Sequence, residues 1–209
     1  MSITRRITPS FGVSGRKDGA LAEVGTLFLV VGPSGAGKDT LLDRVREKLS
    51  GDDRYVFARR VITRPAAPDH EDHDSATPEE FDRLLEEGAF CLSWEAHGLK
   101  YGIPVTFEAE RQKGRHVVAN VSRQIAVEAR KQFAPARIVV VTAPKELLAA
   151  RLSLRSRESA GEIKARLSRQ APEITDIDGA VIIENSGSVA DGVMALLKAL
   201  NFRDLAAAP

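Results

Sequence analysis

Several features that would settle the class of a chain are scarce or missing in this one. There is a single cysteine, Cys91, so no internal disulfide can form and the chain suits a reducing cytoplasm. No apolar stretch approaches the ~20 residues needed to cross a bilayer. The basic N-terminus is not followed by an apolar core, so it does not read as a secretory signal. Charge of one sign is also missing: 30 Lys and Arg against 29 Asp and Glu leave a net charge of +1. That removes the bulk electrostatic case for nucleic acid or an anionic membrane as partner. There is no internal repeat, no zinc-ligand spacing and no Ser-His-Asp grouping. A small-molecule substrate is the expected partner, and a homodimer is left open.

What is present suits one compact α/β domain: 209 residues, 43% of them hydrophobic. The pattern divides the chain into an extension over residues 1–25, a domain over 26–202 and a tail over 203–209. Short apolar runs alternate with helical periodicity. Strands are expected at Thr26–Val31, Val56–Thr63, Ala89–Trp94, His116–Val121, Ile138–Thr142 and Ala180–Glu184. Helices are expected at Lys38–Leu49, Pro78–Glu87, Val105–Lys113, Arg123–Phe133, Lys145–Leu154, Ala160–Ala171 and Val189–Leu200. Thr77-Pro78-Glu79-Glu80 carries a capping box with proline at the first helical position, and Ser159 with Glu162 forms a second box. This alternation predicts a parallel sheet with helices on both faces and a ligand site beyond the C-terminal strand ends. Residues 64–102 form an insert with its own helix, placed to carry a second substrate.

The strongest local signal is Gly32-Pro33-Ser34-Gly35-Ala36-Gly37-Lys38, between the first strand and the first helix. Glycines let the backbone turn its N–H groups inward where a Cβ would obstruct a phosphate. The helix N-terminus adds a positive dipole end, and Lys38 a mobile charge for the β- and γ-phosphates. ATP is therefore the expected ligand. The phosphate-loop pattern wants a hydroxyl after the lysine, to hold magnesium, but Asp39 stands there and Thr40 follows. A carboxylate facing a triphosphate is favourable if Mg2+ lies between them, since magnesium favours carboxylate oxygens. Asp39 is thus the candidate metal ligand. Thr40 could be the ligand only if the helix entry shifted by one residue.

Other charged groupings are weaker. Arg60 and Arg64 lie at a strand end, where Pro65 stops regular structure; as planar forks they suit a phosphorylated acceptor, though two solvated arginines fit as well. Between Arg151 and Gln170 there are six Lys or Arg against two Glu. With a phosphate loop nearby, this segment reads as a basic lid that closes on ATP. His70 and His73, among Asp69, Glu71, Asp72 and Asp74, read as a solvated acidic loop rather than a metal site. Phe90 and Trp94 are expected in the core of the insert.

The order of these pieces resembles the guanylate kinase family. The likeness rests on the glycine-rich loop, Thr63-Arg64-Pro65, Glu80-Phe81, Trp94, Tyr101-Gly102, Arg151-Leu152 and Arg166-Leu167, and covers about residues 26–200. It implies a P-loop kinase core, an inserted acceptor-binding subdomain and an arginine lid over about 151–170. Arg151, Arg155 and Arg166 would be the lid arginines at ATP, Arg64 and Tyr101 would hold the acceptor phosphate, and Asn185 would approach the adenine. The departures bear on the acceptor. A second arginine after Arg64 is replaced by Ala67, a base-reading glutamate by Ser93, two aspartates by Asn120 and Ser122, and a phosphate-holding tyrosine by His73. A guanine site cannot lose its carboxylates without leaving base N–H donors unpaired.

The same positions look like the ribose 1,5-bisphosphate phosphokinase branch of that family, associated with phosphonate degradation. These are Gly-Lys-Asp39-Thr-Leu-Leu, Arg60-Val-Ile-Thr-Arg-Pro, the run from Leu92 to Gly102, and Val118-Ala-Asn120-Val-Ser-Arg123. That resemblance implies ATP and Mg2+ as cofactors and a doubly phosphorylated sugar as substrate. Arg60 and Arg123 would meet the second phosphate, and Ser93, Asn120 and Ser122 the sugar hydroxyls. A guanylate kinase with altered base contacts, or a non-catalytic binding module of the same fold, remain the alternatives.

Overall fold

A computed structural model describes residues 23–65, 73–155 and 177–201. Outside it lie residues 1–22 of the expected extension over 1–25, the tail, the helix at Ala160–Ala171 with its capping box, and Ala67, His70, Arg157, Arg166 and Arg169. The elements run β1 (Leu27–Val31), α1 (Lys38–Lys48), β2 (Tyr55–Phe57), β3 (Arg60–Ile62), β4 (His73–Ser75), α2 (Pro78–Glu86), β5 (Phe90–Ala96) and β6 (Leu99–Pro104). They continue α3 (Val105–Gln112), β7 (His116–Asn120), α4 (Arg123–Gln132), β8 (Ala136–Thr142), α5 (Lys145–Arg155), β9 (Val181–Glu184) and α6 (Val189–Leu200). No helix among the described residues is long and apolar enough to cross a membrane.

The strands form a five-stranded parallel sheet in the order β2-β7-β1-β8-β9 and a four-stranded sheet in the order β4-β3-β6-β5. The chain divides into two compact units, one holding Leu27 and Asp53–Ala119, the other Phe28–Asp52 and the residues from Asn120 onward. In the second unit Leu29, Val30, Val31 and Ile138–Val141 are fully buried. Burial on both faces of central parallel strands is why they read as unbroken apolar runs.

The first unit departs from the expected pattern. The run Val56–Thr63 is two strands, not one: β2 pairs with β7, whereas β3 pairs parallel with β4 and antiparallel with β6. An apolar run states burial but not which sheet receives it. β5, expected as a buried parallel strand, is antiparallel to β6. Its hairpin turns at His97-Gly98, both with positive φ, 54° and 73°. That is the two-residue turn whose twist suits an antiparallel ribbon.

Side chains on this hairpin explain its composition. Trp94 and Tyr101 oppose each other in register and stack at 5.2 Å, and Phe81 of α2 stacks on Phe90 at 4.7 Å. Gly102 is required by close approach, since a Cβ there would lie 2.5 Å from the Phe90 ring. Phe90 and Trp94 are core, as expected. Cys91 is a free thiol whose pKa is pushed up to about 12, mainly by burial and then by Glu108, so it is a packing residue rather than a nucleophile. The Thr77 capping box on α2 is formed, with Thr77 Oγ1 accepting from Glu80 N–H and Glu80 Oε2 accepting from Thr77 N–H. Thr77→Ala is expected to lower stability by about 1 kcal/mol, read as a lower urea midpoint with an unchanged slope.

Candidate active site

The glycine-rich loop follows β1 and enters α1 where its sequence places it. Gly37 is the N-cap, in the left-handed region at φ 87°. It donates no side-chain cap, whereas Thr77, Ser122 and Ser188 each cap their helices with a hydroxyl. No cap side chain therefore competes with an anion at the start of α1. A Cβ on Gly32 would fall 2.0 Å from the Val141 carbonyl, and one on Gly37 would fall 2.6 Å from Asn185 Nδ2. Lys38 Nζ donates to the carbonyls of Gly32 at 2.9 Å and Pro33 at 3.1 Å, which holds the ammonium over the loop.

Asn185, just past β9, is buried, and its Nδ2 donates to the Ala36 carbonyl at 2.8 Å. It braces the loop from behind, a role the sequence did not indicate. Arg151 on α5 lies beside the loop, with Nη1 at 3.5 Å from the Gly35 carbonyl. Gly35, Gly37, Thr40, Arg151, Asn185 and Gly187 line a cavity of about 270 Å³. Gly187 is a lining residue that sequence reasoning missed; its position right after the last strand, among Asn185-Ser-Gly-Ser, was the available signal. Arg155 ends α5, but its side chain is outside the described part.

Asp39 is the second residue of α1, and its Oδ1 accepts from Asn120 Nδ2 at 3.0 Å across 81 residues of sequence. Thr40 beside it is exposed. No group of three or more His, Cys, Asp or Glu able to hold a metal occurs among the described residues. Magnesium bound with phosphates needs only one or two protein carboxylates, so Asp39 suffices as a donor set. Ser122 is the N-cap of α4, its Oγ accepting from Ile125 N–H at 3.3 Å, and Arg123 is the first residue of that helix.

Of the residues expected around the acceptor, Arg60, Arg64, His73, Ser93 and Tyr101 belong to the first unit, and Asn120, Ser122 and Arg123 to the second. Arg60 is nearly buried, with its guanidinium carbon 5.5 Å from the centroid of the Tyr101 ring. At that distance a cation–π attraction holds the fork in place. Arg64 is half-buried, and its Nε is enclosed with no hydrogen-bond partner among the described residues. Ser93 is half-buried on β5, opposite Gly102.

The solvated-loop expectation fails for His73. It opens β4, pairs with Arg60 and is 5% exposed. Its Nε2 faces the Arg64 carbonyl at 3.2 Å and must carry the proton to donate there. Strand alternation turns Asp74 away from the face on which His73 is buried, Ser75 at the strand end is exposed as well, and Asp74 pairs with Arg59 at 2.9 Å.

The AAA domain family matches residues 29–173. A ribose 1,5-bisphosphate phosphokinase from Acidiphilium cryptum is 49% identical over 185 residues, 88% of this chain and 98% of that protein. One from Brucella melitensis is 46% identical over 177 residues, 85% of this chain and 92% of that protein. Among solved structures, a guanylate kinase from Anaplasma phagocytophilum superposes with a TM-score of 0.63 at 20% identity, covering 88% of each chain, which shows a shared fold. With a phosphate loop on a parallel sheet and relatives this similar along nearly their whole length, the chain belongs to the ribose 1,5-bisphosphate phosphokinase family.

Proposed function

We propose that the chain transfers the γ-phosphoryl group of ATP to the 1-phosphate of ribose 1,5-bisphosphate, giving 5-phosphoribosyl 1-diphosphate and ADP. The observation that carries this reading is the likeness to relatives of that name over almost their full length. An acceptor phosphate oxygen attacks the γ-phosphorus, the bond to the β,γ-bridging oxygen breaks, and the electron pair leaves on ADP. The attacking oxygen is already ionised, so catalysis is positioning and charge neutralisation. Lys38 and Arg151, with Arg155 and Arg166, would neutralise charge on the transferring group. Asn185 would set the loop at the adenine end of the nucleotide. Asp39 would hold Mg2+, which would supply positive charge to offset that of the phosphates.

For the acceptor, the enclosed and unpaired Nε of Arg64 supports an anion beside it, because a buried donor without an acceptor costs about 1–3 kcal/mol. Arg64 and Tyr101 would hold one phosphate, Arg60 and Arg123 the other, and His73 would fix the Arg64 backbone. Ser93, Asn120 and Ser122 would meet the sugar, Asn120 through its Oδ1. The test is turnover with ATP and magnesium on ribose 1,5-bisphosphate and, separately, on GMP. Formation of 5-phosphoribosyl 1-diphosphate with little GDP is expected, whereas efficient GDP formation would replace the reading with a guanylate kinase of unusual base pocket. ATP binding without turnover of either acceptor would also overturn it.

A further inference from the structure

We infer that Asn120 is a positioning residue that aims the Asp39 carboxylate at the divalent cation; this rests on the proposal that Asp39 holds magnesium. An acid in the first turn of a helix has another attraction close at hand, the N–H groups of that same turn. Turned back on them, Asp39 would cover the donors that a phosphate needs. Asn120 supplies a competing donor from a different element. β7 ends on Asn120, and its Nδ2 reaches Asp39 Oδ1 at 3.0 Å. The amide orientation follows from chemistry, because an ionised carboxylate only accepts, so the NH2 side must face it. The bond engages Oδ1, which leaves Oδ2 as the ligand atom.

Charge explains why an amide does this work. Asn120 holds the carboxylate without adding charge, so the pair stays at one negative charge beside a triphosphate. An acid at 120 would put two anions about 3 Å apart and repel both each other and the nucleotide. Outer-sphere partners that orient a ligand typically change metal affinity by roughly 10–100-fold when removed. The inference therefore concerns metal affinity first and turnover second.

The experiment measures Mn2+ binding by paramagnetic resonance of the free ion, with the full chain and a non-hydrolysable ATP analogue. Asn120→Ala is expected to weaken Mn2+ binding about tenfold. Asp39→Asn is expected to weaken it at least as much, and the double variant no more than Asp39→Asn alone, since each removes the same unit. Analogue binding with the metal chelated should not change in Asn120→Ala. Additive losses, wild-type Mn2+ binding in Asn120→Ala, or weakened metal-free nucleotide binding would each overturn the inference. Asn120→Ser, whose hydroxyl is too short to reach Asp39, carries the same expectations if the alanine variant folds poorly. Wild-type Mn2+ binding in Asp39→Asn would instead overturn the magnesium reading of Asp39, and the inference with it.

Discussion

Lys38→Ala is expected to cut phosphoryl transfer by about 10²–10³-fold or more, mainly in kcat, as loss of a preorganised charge at a transferring group does. The argument starts from the helix. Lys38 is the first residue of α1, so its backbone is fixed while its four-carbon stem is free to follow the γ-phosphoryl group. Its ammonium already lies over the loop, donating to the Gly32 and Pro33 carbonyls at 2.9 and 3.1 Å. Those bonds are exchanged for phosphate oxygens by a short movement of the ammonium, so little reorganisation opposes the charge when it is needed. Lys38→Arg should rescue little, because a rigid planar fork does not replace a compact point charge between two carbonyls. Single-turnover rates with saturating ATP, set beside nucleotide affinity, separate lost catalysis from lost binding. Wild-type-like turnover in Lys38→Ala would remove the phosphate-loop assignment.

How much of this was legible beforehand depended on whether the information was local. The glycine-rich loop, the Thr77 cap and the six helices described are written in short stretches, and each stands within a residue or two of its expected bounds. The second sheet was not legible because its pairings join distant segments: β3 to β4 and to β6, with registers that no single run records. One local signal was passed over, the His97-Gly98 turn that marks the β5–β6 hairpin. The site behaved the same way. Asp39 stood out as a break in a motif and Asn120 as a lost acid, but only the fold puts them 3.0 Å apart. Asn185 was read for its place after the last strand, yet the Ala36 carbonyl it braces lies 149 residues away. Burial of His73 followed from strand pairing, against a charge pattern that argued for solvent.

Gly37→Ala should raise the ATP concentration needed for half-maximal rate by about 10²-fold, and two separate costs lead to that figure. The first is backbone conformation. Gly37 sits at φ 87°, ψ 16°, a left-handed geometry that costs an L-residue roughly 1–2 kcal/mol. The second is space. The new Cβ would come within 2.6 Å of Asn185 Nδ2, which is already committed to the Ala36 carbonyl and buried under α6, where its Oδ1 lies 2.7 Å from the site of a Cβ on Gly192. Asn185 cannot retreat towards Gly192 without displacing the Gly192 backbone, so the loop must move instead. Losing the Asn185 brace adds about 0.5–1.5 kcal/mol. Together the two come to about 3 kcal/mol, or some 10²-fold in binding at 1.4 kcal/mol per decade. The strain is relieved by opening the loop, and an opened loop no longer directs its N–H groups at one point, so the loss appears in nucleotide affinity rather than in acceptor affinity. Asn185→Ala removes the brace without the backbone strain and should lose less, about tenfold. Calorimetric titration of ATP into both variants decides the matter: equal losses would place the whole effect in the brace, and unchanged affinity in Gly37→Ala would mean that this turn does not hold the phosphates.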